Sequence, residues 1–107
     1  MNVQFKKGAL ELLVLLIISR QDQYGYSLIQ IMTQKITISE GTIYPLLRRL
    51  VKEEYLNSYY EPSKEGPSRK YYAITIKGNE RLKELTREWN MFTESINSFM
   101  EESDVHE

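Results

Sequence analysis

Apolar and polar positions recur in two rhythms along the chain. Residues 5–20 carry the run Leu12-Leu13-Val14-Leu15-Leu16-Ile17-Ile18, apolar on every side of a helix wheel. A buried strand shares that pattern, but the length and the lack of internal turn residues favour a helix packed on more than one side. Gln21-Asp22-Gln23-Tyr24-Gly25 breaks it, and a second helix follows with Leu28, Ile29 and Met32 on one side. Next, Ile43, Leu46, Leu47, Leu50 and Val51 fall at i, i+3, i+4, i+7 and i+8, an amphipathic helical stripe. Either Ser39 or Thr42 caps this third helix. A Thr42 cap puts Pro45 in the first turn at little cost; a Ser39 cap distorts that turn.

The rhythm then changes. Residues 55–61 and 69–75, rich in Tyr, Ile and Thr, read as strands. Pro62 to Ser68 reads as a loop, which makes a β-hairpin with a long tip. Thr75 is placed to cap a last helix from about Lys77 towards Glu101, with a frayed tail from Ser103 to Glu107. The order helix, helix, helix, hairpin, long helix predicts a mostly α (α+β) winged helix-turn-helix. Residues 1–76 would form the winged-helix domain and 77–107 a dimerisation helix with a short tail.

Composition removes several function classes. With 107 residues the core is modest, and self-association would bury more apolar surface. There is no cysteine, hence no disulfide framework and no thiolate zinc site. The apolar run after Lys6 and Lys7 is too short to span a bilayer, and Ser19-Arg20-Gln21-Asp22 offers no small-residue cleavage site. The lone histidine, His106, sits in the tail. No Gly-rich phosphate loop, paired carboxylate motif or metal-ligand cluster is evident, so neither catalysis nor a metal or cofactor is expected.

Net charge is −1, which alone argues against a nucleic-acid binder. Its distribution argues the reverse: residues 1–79 hold 11 Lys/Arg against 7 Asp/Glu, while residues 80–107 hold 3 against 8. Opposite the stripe of the third helix lie Gly41, Pro45, Arg48, Arg49 and Lys52, flanked by Thr42 and Tyr44. Small residues allow close approach, Arg48 can bond a guanine bidentately, and hydroxyls can reach phosphate or base edges. Free N–H groups at the amino end of the helix, beside Ser39, favour a phosphate. Lys64, Arg69 and Lys70, with Ser68 and Tyr71, make the hairpin a cationic wing. An isolated basic helix face is most often a solvated surface, and basic hairpins often only protect sheet edges. The two together, in this topological order, point to double-stranded DNA. A winged helix used only for protein–protein contact is the alternative.

Lys7-Gly8-Ala9-Leu10-Glu11-Leu12-Leu13-Val14-Leu15, Tyr24-Gly25-Tyr26, Ser39-Glu40-Gly41-Thr42-Ile43-Tyr44-Pro45-Leu46-Leu47-Arg48-Arg49-Leu50 and Gly66-Pro67-Ser68-Arg69-Lys70-Tyr71-Tyr72 resemble the PadR transcriptional regulators. The resemblance covers nearly the whole chain. It implies a cytoplasmic homodimeric repressor on an inverted-repeat operator, often responsive to a small effector, of the short subclass that lacks an extended carboxy-terminal domain.

In the last helix Leu82, Leu85, Trp89, Phe92, Ile96 and Phe99 are spaced 3, 4, 3, 4, 3, a heptad seam that wants a partner helix. Glu84, Glu88, Glu94 and Glu101 lie outside it. Trp89, the only tryptophan, is a large interface side chain on the plain reading. The resemblance adds a second: an aromatic at this place can line a slot between subunits and stack on a planar aromatic effector.

Overall fold

The computed structural model describes residues 3–104, with side chains described from residue 8 to residue 103. His106 and the last residues of the tail lie outside them. Four helices and three strands follow in the order α1 (Val3–Arg20), β1 (Gln23–Tyr24), α2 (Gly25–Thr33), α3 (Glu40–Lys52), β2 (Leu56–Ser63), β3 (Gly66–Ile74) and α4 (Ile76–Asp104). A winged helix with a long last helix is the observed architecture. No described helix is long and apolar enough to cross a membrane.

The all-round apolar run of α1 is explained by its neighbours, since the helix packs against both β3 and α4. Leu10, Val14, Leu15 and Ile18 are buried there, and Leu12, Leu13 and Ile17 are partly buried. Ile43, Leu47 and Leu50 of α3 are fully buried in the same cluster, each contributing about 1.5–3 kcal/mol. Leu28, Ile29 and Met32 of α2 close it.

The sheet differs from the expectation in two ways. Gln23 and Tyr24, read as a helix break, form a short strand paired antiparallel with Tyr72 and Tyr71, giving the order β1-β3-β2. The hairpin also runs to Ser63 and Gly66, so only Lys64 and Glu65 form its tip. Two prolines suggested a loop, yet both are tolerated here. Pro62 lies on edge strand β2 where the register shifts between Glu61 and Ser63. Pro67 lies on β3 before the stretch that β1 covers, so its missing N–H deprives no ladder on that side.

The helix ends are well specified. Ser39 takes the N-cap backbone conformation of α3, and its Oγ lies 3.0 Å from Thr42 Oγ1 instead of capping a backbone N–H. Pro45 is therefore inside the helix, beyond its first turn. At the other end Tyr55 N–H donates to the Leu50 carbonyl (2.9 Å) and Glu54 N–H to that of Val51 (3.0 Å), a Schellman motif. Glu54 sits at φ 67° where glycine is usual, at a cost of about 1 kcal/mol. Thr75 caps α4 as expected: its Oγ1 accepts from Gly78 N–H at 2.9 Å. α4 continues through Ser103 to Asp104, where a frayed tail was expected.

Candidate nucleic-acid interface

Helix α3 presents one face to the core and the other to solvent. Gly41, Thr42, Pro45, Arg48 and Lys52 are exposed, as is Ser39 at the cap. A Cβ added at Gly41 would meet nothing closer than Ser39 Oγ at 3.9 Å, so the fold itself does not require glycine there. Tyr44 is half-buried, its ring lying against Gly25, where a Cβ would stand 2.9 Å from Cε1. This close approach accounts for the glycine of Tyr24-Gly25-Tyr26.

Arg49 departs from the expected set. Its guanidinium donates to Glu53 at 3.0 and 3.1 Å and to Glu11 of α1 at 3.3 Å. It flanks the apolar stripe, one step around the helix from Arg48, and points to acids on its own protomer. Glu11, which sequence reasoning left unassigned, is buried and also accepts from Arg81 of α4 at 3.3 Å. A lone acid within an apolar run was the only available signal.

The wing has two faces, because successive side chains alternate. On the α3 side stand Tyr72 in the core, Lys70 with its ammonium 5.7 Å from the Tyr72 ring, and exposed Tyr60 on β2. Burial raises the Tyr72 pKa, as do Tyr44 and Tyr60, while Arg48 lowers it. Tyr44, Tyr60 and Arg48 are thus near enough to act on the charge of one phenol. Tyr44 is likewise raised, first by burial, then by Glu40 and Tyr24. Both phenols stay protonated donors near neutral pH.

Arg69 and Tyr71 project to the other face. Tyr71 stacks on Tyr59 (centroids 5.7 Å, 19°) and contacts Tyr24 at 5.9 Å, while Arg69 lies over the Tyr24 ring at 5.1 Å. Tyr59 donates to Asp22 at 2.7 Å, and that bond first of all pushes its pKa up to about 12. Arg69 and Tyr71 therefore do not share the α3 side with Lys70. Lys64 at the tip and Ser68 on β3 are exposed. Tyr60, absent from the expected set, joins the α3 side; the adjacent tyrosines 59 and 60 gave no clue which faced inward.

The expected seam on α4 divides. Leu85 is buried and Leu82 partly buried in the protomer's own core. Trp89, Phe92 and Phe99 remain 37%, 50% and 71% exposed, and Ile96 is half-buried. Leu85, Glu88, Trp89 and Phe92 line a groove of about 220 Å³ with Gly8, Ala9 and Leu12 of α1. Among the described residues no group of three or more His, Cys, Asp or Glu could hold a metal ion.

Residues 14–84 match the family described as transcriptional regulator PadR-like. A Streptococcus transcriptional regulator is 35% identical, with a TM-score of 0.84 over 92% of this chain and 99% of its own. A PadR-like transcriptional regulator from Bacillus cereus is 41% identical, with a TM-score of 0.82 over 91% of this chain and 96% of its own. The Bacillus subtilis PadR, solved in complex with operator DNA, shares the fold at 20% identity, with a TM-score of 0.65 over 71% of this chain and 45% of its own. With the wing, the long last helix and a family match over most of its length, this chain belongs to the PadR-like transcriptional regulators.

Proposed function

We propose that the chain is a cytoplasmic, homodimeric DNA-binding repressor that reads an inverted-repeat operator with α3 in the major groove. The observation that carries this is the Tyr72 phenol, which Arg48 and Tyr44 of α3 and Tyr60 of the wing all influence and over whose ring Lys70 lies, while Thr42 and Lys52 are exposed on α3. Ser39, Gly41 and Pro45 line the amino end of the helix, where open N–H groups favour a phosphate. Ser68 and the tip residue Lys64 reach the flanking backbone. Arg49 is withdrawn from the set by its ion pairs, and Arg69 and Tyr71 act at most from the outer side of the wing. The operator-bound Bacillus subtilis protein supports this use of the fold.

Titration of labelled operator over a salt series tests the reading. Arg48→Ala is expected to weaken specific binding by about 1–3 kcal/mol, from loss of a bidentate base contact. Lys64→Ala is expected to weaken all sequences alike and to reduce the salt slope by about one unit. Unchanged affinity in both folded variants removes the assigned surface.

A second element of the reading concerns Trp89. The groove beside it, about 220 Å³, is smaller than an ordinary ligand pocket and is partly open. A second copy across the seam would complete it, with indole and phenyl walls and Glu88 at the rim. Such a slot suits a planar aromatic cation. Titration of the dimer with planar dye cations is expected to quench Trp89 fluorescence, and Trp89→Ala to abolish any ligand effect on operator affinity. No quenching by any of them leaves Trp89 as interface packing.

A further inference from the structure

The recognition helix and the long helix are tied together at two separate places. One is a clasp at the carboxy-terminal end of α3. Thr75 Oγ1 donates to the Glu54 carbonyl at 2.7 Å, and Lys77 Nζ donates to that of Glu53 at 3.1 Å. The other is ionic. Glu11, buried on α1, gives one carboxylate oxygen to Arg49 of α3 and the other to Arg81 of α4, both at 3.3 Å. Glu53 and Glu84 close the ends, so the charges alternate along the row Glu53, Arg49, Glu11, Arg81, Glu84.

Stability alone does not account for this device. Burying a carboxylate is expensive, and well-packed apolar side chains would serve as well or better. Arg81 Nε is buried with no hydrogen-bond partner among the described residues, which adds to the cost. What an ionic link supplies is direction, because a guanidinium fork meets a carboxylate in a restricted geometry where apolar surfaces can slide.

We propose that Glu11, through Arg49 and Arg81, is a positioning residue for operator spacing: it fixes the angle between α3 and α4 and so the spacer length that the dimer accepts. The inference rests on the proposed DNA-reading role of α3 and dimer role of α4. A clasp alone is a hinge; a second anchor, six residues further along α4 and about 9 Å away, makes the joint rigid. From Arg81 to Phe99 the helix is a lever of about 27 Å, so a swivel of about 5° at the joint moves its far end by about 2 Å. Each added base pair shifts a half-site by about 3.4 Å along the axis and turns it by about 35°. A joint loosened by a few degrees therefore blurs the distinction between neighbouring spacers.

The test measures affinity for operators whose half-sites are moved apart or together by one base pair, and for an isolated half-site. The wild type is expected to prefer its own spacer by at least about tenfold, a difference of about 1.4 kcal/mol. Glu11→Gln is expected to cut that preference to about threefold or less, with half-site affinity within about twofold of wild type. Arg81→Met, at a side chain already 28% exposed, carries the same expectation should the Glu11 variant not fold. Thermal melting and sedimentation confirm a folded dimer in each case. An undiminished preference in the folded variants, or equal losses on half-site and full operator, overturns the positioning role. A wild type that binds DNA without spacer preference also overturns it, leaving the DNA surface intact. A wild type that binds no DNA overturns the reading beneath it.

Discussion

Gly78→Ala is expected to destabilise the fold by at least about 3 kcal/mol, a large share of a small domain's stability. Gly78 is buried in the first turn of α4, where the helix passes the turn between α3 and β2 at Tyr55. A Cβ there would overlap the Tyr55 carbonyl oxygen, lie 3.0 Å from the carbonyl carbon, and stand 2.8 Å from Ile74 Cγ1. The obstacle is chiefly backbone, so no rotamer change relieves it. The Tyr55 carbonyl is itself held, accepting from Thr75 N–H at 3.1 Å. Relief would have to separate α4 from α3, breaking the Thr75 and Lys77 clasp and exposing Leu56 and Leu82. At about 4–8 °C per kcal/mol, the melting temperature should fall by about 12–24 °C or more. Gly66→Ala is the matched control, because nothing lies within 4 Å of its added Cβ. A Gly78→Ala protein that melts with the wild type would mean that the α3–α4 approach is looser than the structure has it.

Elements with a strong period were legible from the sequence, and those made by tertiary pairing were not. The stripe of α3 located Ile43, Leu46, Leu47 and Leu50 in the core because a 3.6-residue period survives any neighbouring arrangement. β1 could not be read, since its two residues are a strand only because β3 passes beside them. The wing was underestimated because prolines mark a loop by composition, whereas an edge position and a register shift made room for both. The set proposed to face DNA shows the same limit. A wheel places Arg48 and Arg49 together on the outer side, but it contains no Glu11, whose buried carboxylate draws Arg49 inward. Likewise the α4 heptads run unbroken from Leu82 to Phe99. Only the three-dimensional core shows that Leu82 and Leu85 are used inside the protomer, so the exposed seam begins at Trp89.

Phe92→Asp is expected to split the proposed dimer and to lower operator affinity by about 10²–10⁴-fold, the advantage of binding two linked half-sites. Phe92 lies in the exposed part of the seam, one helical turn from Trp89 and from Ile96, and is 50% exposed in the protomer. With Phe99 at 71% and Met91 and Met100 near 60%, the distal half of α4 shows apolar surface that an isolated protomer would leave in water. Two copies related by a two-fold axis would cover it, and a carboxylate on that axis would face its own mate in a desolvated place. Like charges that close, with no cation supplied by the seam residues, oppose association strongly. Glu88, one helical turn before Phe92, would add a further like charge beside the substitution. The winged-helix core should be spared, because Leu85 and not Phe92 is the last seam residue in it. Sedimentation velocity reads the mass directly, and operator titration at protein concentrations on both sides of the dissociation constant reads the loss. The half-site contact proposed for Arg48 would be untouched, so weak, salt-dependent, single-site binding should persist. A Phe92→Asp protein that remains dimeric at low micromolar concentration, with full operator affinity, would place the dimer contact elsewhere than the α4 seam.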